Sequence, residues 1–120
     1  MTYARNKALG AFGERLAANY LRDAGMVILD RNWTHRFGEI DIVARDGDSV
    51  VVCEGKTRTG TTHGTSSEAV TPTKAARLRN LAQAWIDQHV VSPDSLRIDV
   101  VAVHIPAKGA ADIRHIRAVA

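Results

Sequence analysis

Three patterns in the 120 residues predict an α/β fold with a central mixed β-sheet flanked by helices. Two segments, at about 7–24 and 71–89, carry apolar residues at helical spacing. Between them, alternating residues on either side of Asp46-Gly47-Asp48 predict a β-hairpin. Further strands are expected before the hairpin and after the second helix. The predicted order is therefore α-β-β-β-α-β-β, a layered α/β arrangement.

The first helix is defined by four residues at helical spacing: Leu9, Phe12, Leu16 and Tyr20. Gly25 is expected to end it in the left-handed conformation. A short strand at 26–33 follows, and a loop at 34–37 leads into the hairpin.

The segments after the hairpin are defined by turn residues and by alternation. Residues 57–68 are rich in Gly, Ser and Thr and lack an apolar period, which predicts a mobile loop. Thr71 is a candidate N-cap, with Pro72 at the first helical position. Strands are expected at 96–105 and, at the sheet edge, at 113–119.

Length and composition indicate one domain over residues 1–120. Hydrophobic residues make up 45% and charged residues 24%, an ordinary globular mixture. No run approaches the ~18 apolar residues of a transmembrane helix, and the N-terminus lacks the apolar core of a secretory signal. We therefore expect a cytoplasmic protein without a membrane partner. The single cysteine, Cys53, excludes an internal disulfide.

Four charged residues on the hairpin are not explained by packing. Glu39 and Asp41 lie two apart on one strand, and Glu54 and Lys56 lie two apart on the next. A spacing of two places each pair on one face of its strand.

The hairpin turn decides how these pairs meet. If the turn is Gly47-Asp48, Asp41 lies opposite Glu54; if it is Asp46-Gly47, the two acids are diagonal neighbours. Both turns keep the acids on one face, whereas a plain three-residue turn separates them unless a bulge restores the register.

Facing carboxylates repel one another unless a cation lies between them. Asp41 and Glu54 are therefore candidate ligands of a divalent ion, with Lys56 placed to orient the attacking water or to neutralise developing charge. The alternative is a solvated face on which Glu39 and Lys56 form an ordinary ion pair.

The sequence resembles the YraN family of small bacterial proteins, which are similar to PD-(D/E)XK nucleases, the superfamily of restriction endonucleases and Holliday-junction resolvases. The resemblance is carried by these runs: Gly10-Ala-Phe-Gly13-Glu14, Arg31-Asn32, Gly38-Glu39-Ile40-Asp41, Glu54-x-Lys56-Thr57-Arg58, Lys74 and Arg97-x-Asp99-Val100. It implies a restriction-endonuclease-like core and a nuclease that uses Mg²⁺ or Mn²⁺.

The resemblance also implies roles for individual residues. Asp41 matches the motif acid, and Glu54 and Lys56 match the E-x-K motif. Glu14 matches the helical acid that completes the metal site in related resolvases. Gly55 departs from the family pattern, which usually has valine between the Glu and the Lys.

Several other residues are candidates for substrate binding. Arg58 and His63 are interpreted either as a phosphate-binding flap or as part of a disordered connection. Lys74, in the first turn of the second helix, is a candidate phosphate contact. Arg36 lies near Trp33, which is interpreted mainly as a core residue, with base stacking as the alternative. Glu39 is interpreted either as the partner of Lys56 or as an additional metal ligand.

Two functions follow from these observations, beside a third interpretation as a structural scaffold without a nucleic-acid role. The favoured one is a metal-dependent endonuclease that hydrolyses DNA, with branched or structured DNA among its substrates. The alternative is a non-catalytic module on a nuclease fold that binds nucleic acid or protein. The net charge of only +3 and the small size favour substrate binding as a homodimer or with a partner.

Overall fold

A five-stranded mixed sheet has one helix packed on each of its faces. The computed structural model describes residues 2–60 and 70–119, with side chains from residue 7 onward. Its elements are α1 (Thr2–Asp23), β1 (Val27–His35), β2 (Gly38–Asp46), β3 (Ser49–Thr59), α2 (Pro72–His89), β4 (Ser95–Ile105) and β5 (Asp112–Ile116).

The strands lie across the sheet in chain order, β1-β2-β3-β4-β5. Adjacent strands are antiparallel except β3 and β4, which run parallel because the α2 crossover returns the chain to the same end of the sheet. The predicted fold class and element order are confirmed, and the topology is consistent with a restriction-endonuclease-like fold.

Strand β3 is longer than the sequence pattern indicates. It extends to Thr59, so the segment expected to be a loop from Thr57 begins with three strand residues. These residues pair in parallel with β4, from Thr57 opposite Val103 to Thr59 opposite Ile105. Backbone pairing of this kind does not require an apolar period. The rest of the expected loop, including His63, lies mostly in 61–69, outside the described residues.

The helix ends follow the capping residues. The Thr71 hydroxyl accepts a hydrogen bond from the Lys74 N–H at 3.1 Å, and Pro72 opens α2, as expected. Gly25, with φ of 95°, follows the end of α1 in the left-handed conformation. Neither described helix has the combination of length and apolar character that a bilayer-spanning helix requires.

The sheet separates two apolar clusters. Toward α1, Ala17 and Leu21 pack against the β2 residues Ile42 and Ala44. Toward α2, Leu81 packs against another set of strand residues that includes Val52 and Ile98. The odd-numbered β3 residues therefore face α1 and the even-numbered ones face α2, which places Glu54 and Lys56 on the α2 side.

A buried polar cluster ties β5 to β4. Asp99 is fully buried and accepts hydrogen bonds from Arg97 at 2.9 and 3.0 Å and from the Ala118 N–H at 3.0 Å, and it pairs with His115 at 2.7 Å. Burial opposes its ionisation, but these bonds outweigh burial and lower the pKa of Asp99. The neighbouring Cys53 is buried, which raises the pKa of its thiol to about 12.

Candidate functional site

The β2–β3 ladder ends beside the predicted acids. Asp46 pairs with Ser49, so the turn is Gly47-Asp48, and the described pairing continues to Ile42 opposite Cys53. There the Asp41 Oδ2 accepts a hydrogen bond from the Gly55 N–H at 2.8 Å. The Asp41 side chain thus takes the place of the next backbone acceptor on β2.

This replacement corrects two expectations. The register predicted for a Gly47-Asp48 turn is confirmed, but Asp41 and Glu54 are not a backbone pair in the described ladder. Glu39 likewise does not pair with Lys56 by ladder or ion pair within the described residues. The strands separate at this point because Gly55 donates its N–H to a carboxylate.

The backbone of β2 is irregular next to Asp41. Ile40 and Val43 both pack in the α2-side cluster, although they are three residues apart, while Ile42 packs on the α1 side. The alternation therefore slips by one residue. On β1, Asn32 lies level with this position and has φ of 51°, a left-handed conformation that asparagine tolerates better than most residues.

An open cavity of about 380 Å³ lies where β2 and β3 separate, under the first half of α2. It is lined by residues of both strands and of the helix: Gly38, Glu39, Asp41, Glu54, Lys74, Arg77 and Leu78. The structure thus brings three of the predicted acids and Lys74 into one cavity.

The cavity opposes ionisation of Asp41. The pKa of this carboxyl is raised from 3.8 to about 6, mainly because the group is buried. The Gly55 N–H acts in the opposite direction and lowers the pKa, while the charges of Glu54, Glu14 and Glu39 add to the rise. A carboxyl that is buried among other carboxylates binds a cation or a proton more readily than an isolated one.

Two lysines in the region have different partners. Lys74 Nζ donates to Glu54 Oε1 at 2.7 Å, and both side chains are largely buried. It therefore neutralises the charge of Glu54. The sequence predicted a phosphate contact for Lys74 but not this ion pair. Lys56, half-buried on the same face of β3 as Glu54, forms no hydrogen bond or ion pair with the described residues.

Glu14 approaches the site from α1. Its charge contributes to the raised pKa of Asp41, but its Oε2 lies 4.0 Å from Arg31 Nη2. Arg31 is a motif residue to which the sequence assigned no role, and its buried Nε has no hydrogen-bond partner in the described part of the chain. Glu14 thus forms a long ion pair with Arg31 and is not among the residues that line the cavity.

The predicted basic residues are not all at the cavity. Arg58 lies on β3 in the same row as Glu54 and Lys56, and Arg36 is exposed in the β1–β2 turn. Arg77, which does line the cavity, was missed. The signal for it was its spacing of three from Lys74, which puts both on one helix face.

Two carboxylate oxygens at the cavity could hold a hard divalent cation that needs few protein ligands. Asp41 Oδ1 and Glu54 Oε2 have no hydrogen-bond partner among the described residues. Mg²⁺ commonly takes one or two carboxylates and keeps several waters. Within residues 2–60 and 70–119, no group of three His, Cys, Asp or Glu side chains is arranged to hold a metal. Asp41 and Glu54 are therefore the pair to consider, because Glu14 is not among the residues that line the cavity.

A family model and several related proteins all place this chain in the same family. Residues 13–103 match the family described as "Uncharacterised protein family UPF0102". A UPF0102 protein of Kineococcus radiotolerans is 53% identical, with 99% of each chain covered. One of Streptomyces coelicolor is 54% identical over 94% of this chain and 88% of its own. Another, of Frankia alni, is 48% identical over 98% of both chains. The chain therefore belongs to the UPF0102 family, whose YraN members its sequence motifs resemble.

Proposed function

We propose that this protein is a metal-dependent endonuclease that hydrolyses phosphodiester bonds of DNA, with branched or structured DNA among its substrates. The observation that carries the proposal is the cavity that Asp41 shares with Glu54, in which burial and neighbouring carboxylates raise the pKa of Asp41 to about 6. Folding such acids together costs stability, and a bound cation would recover it.

The proposal assigns a role to each group. Asp41 Oδ1 and Glu54 Oε2 would hold Mg²⁺ or Mn²⁺, which supplies an activated water and stabilises charge on the phosphoryl group. The Gly55 N–H fixes the other oxygen of Asp41. Lys56, which has no partner among the described residues, would orient the attacking water or donate to a phosphoryl oxygen.

The basic residues at the cavity would bind the substrate backbone. Arg77 lines the cavity and is exposed, and its guanidinium presents a forked set of donors that suits a phosphate. Lys74 holds Glu54 in the absence of an ion, and a bound cation would free its ammonium for a phosphate. Arg58 continues the row along β3 beyond Lys56.

A second candidate is a nuclease fold that binds nucleic acid without cleaving it. The observation that favours it is the 2.7 Å contact between Lys74 and Glu54, which already neutralises one of the two acids without a metal. In that case Lys74 and the acids would form a polar cluster that neutralises itself, and the acids would serve the fold rather than hydrolysis.

A cleavage assay separates the two candidates. The wild type, Asp41→Asn and Lys56→Ala are incubated with linear, forked and four-way DNA in Mg²⁺, Mn²⁺ or a chelator, with Lys108→Ala, an exposed lysine of the β4–β5 connection, as the control. The proposal expects metal-dependent cleavage that Asp41→Asn abolishes and Lys56→Ala slows about 10²- to 10⁴-fold at nearly unchanged DNA affinity.

Two other results would contradict parts of this proposal. Tight DNA binding without cleavage in either metal establishes the binding module. Cleavage at the wild-type rate by Lys56→Ala shows that the assignment of this lysine is wrong, even if the enzyme is real.

A further inference from the structure

The β1–β2 turn carries a stack of three rings and one cation. The ring centroids of Trp33 and His35 are 5.4 Å apart with planes inclined by 24°, and those of His35 and Phe37 are 5.3 Å apart at 42°. The guanidinium carbon of Arg36 lies 4.7 Å from the Phe37 centroid. We call these four side chains the aromatic ladder.

The inner end of the aromatic ladder is fixed. The Trp33 indole N–H donates to Gln88 Oε1 of α2 at 3.2 Å, and the ring packs against the α2-side cluster. The Phe37 N–H donates to His35 Nδ1 at 3.3 Å, which sets the orientation of the imidazole. The Trp33 and His35 rings therefore have little freedom to lose when a ligand stacks at the outer end.

The outer end is open to solvent. Phe37 is 60% exposed, and the Arg36 that covers part of it is itself exposed. Packing against the described residues does not account for a large ring held in a turn, where it gains little from burial. A planar ligand with a negative charge beside it would cover the ring and pair with the guanidinium.

We propose that the aromatic ladder stacks an unpaired base of a DNA strand. Every base has a flat face that stacks on an aromatic side chain, and each base is followed by a phosphate that suits the arginine. In a duplex the bases are already stacked on each other, so the aromatic ladder would select DNA with single-stranded arms, gaps or branch points.

The position of the aromatic ladder agrees with this choice. Gly38 and Glu39, the two residues after Phe37, line the acidic cavity. Asp41 follows Phe37 by four residues, a span of at most about 14 Å, which corresponds to no more than about four stacked nucleotide steps. The inference rests on the proposed DNA substrate and makes it more specific: unpaired bases lie on one side of the bond that is cut.

The test compares two DNA duplexes with single-stranded arms of equal length, one with normal bases and one with abasic sugars. Affinities are measured by fluorescence anisotropy without divalent ions. The wild type should prefer the base-bearing arm by about 5- to 150-fold. Phe37→Ala should lose that preference while its affinity for the abasic arm stays the same, and Phe37→Trp should keep it.

Phe12→Ala is the matched control, because Phe12 is also exposed and also has an arginine, Arg15, over its ring at 5.5 Å, on α1. It should keep the preference. Equal affinity of the wild type for both arms, or a preference that Phe37→Ala leaves intact, overturns the proposal. A wild-type dimer that Phe37→Ala dissociates, without any base preference, would assign the aromatic ladder to protein contact. Because no metal is present, these outcomes do not depend on whether the protein cleaves DNA.

Discussion

Replacing Asp41 with asparagine should stabilise the metal-free protein at neutral pH. The asparagine side chain keeps an oxygen for the Gly55 N–H but carries no charge. In the wild type, the folded-state pKa of about 6 lies above the ordinary value of 3.8, so ionisation of this buried carboxyl costs stability. The cost is absent below about pH 4, develops as the pH rises toward 6 and is complete above it. The full difference corresponds to ~3 kcal/mol.

The assay is thermal or urea unfolding of both proteins from pH 4 to pH 8 in a chelator. At pH 8 Asp41→Asn should be more stable by up to ~3 kcal/mol, or roughly 10 °C in Tm for a chain of this size, and near pH 4 the two should coincide. Asp48→Asn, in the exposed β2–β3 turn, is the control and should change little at either pH. A variant that is less stable than the wild type at pH 8 would refute the reasoning and make Asp41 a structural acid.

Three further predictions concern the surroundings of the site. Lys74→Gln should tighten Mn²⁺ binding by about tenfold in calorimetry, because the ammonium no longer competes for Glu54; weaker binding would mean that the lysine shapes the site. Gly13→Ala should destabilise the fold by ~1–3 kcal/mol in urea unfolding, because the added Cβ would overlap the Thr57 side chain. The control Gly10→Ala, with open space around it, should stabilise the fold by ~0.5–1 kcal/mol. Equal effects of the two substitutions would argue against the close approach of α1 to β3. DNA affinity should fall with salt at a logarithmic slope of about −3 to −5, as three to six phosphate contacts require, and a flat response would remove DNA from the account.

The sequence predicted the elements whose signals are local. Helix α2 begins where Thr71 and Pro72 indicate it, because capping and a fixed φ act within one turn. The hairpin was predicted with two possible turns, Asp46-Gly47 and Gly47-Asp48, and the pairing of Asp46 with Ser49 shows that the second is correct.

The features that the sequence did not predict depend on distant contacts. The end of the β2–β3 ladder results from a side chain that bonds to the Gly55 N–H, which no alternation pattern records. The last residues of β3 are strand because β4 supplies a partner that lies more than forty residues away. The contact between Lys74 and Glu54 likewise exists only because α2 packs over β3.

The aromatic ladder is a surface feature that the sequence predicted only in part. Trp33 was interpreted mainly as a core residue, and the structure does pack it against the α2-side cluster. Its alignment with His35 and Phe37 follows from a spacing of two that continues into a turn, where a strand pattern no longer predicts the direction of a side chain.

The central claim is that Asp41 and Glu54 together bind a divalent cation, and a Mn²⁺ titration followed by calorimetry at pH 7.5 tests it most directly. The wild type should show a saturable site that Asp41→Asn and Glu54→Gln each weaken by at least about tenfold, while Asp48→Asn should bind as the wild type does. Absence of binding to the wild type, or equal binding by all four proteins, would contradict it.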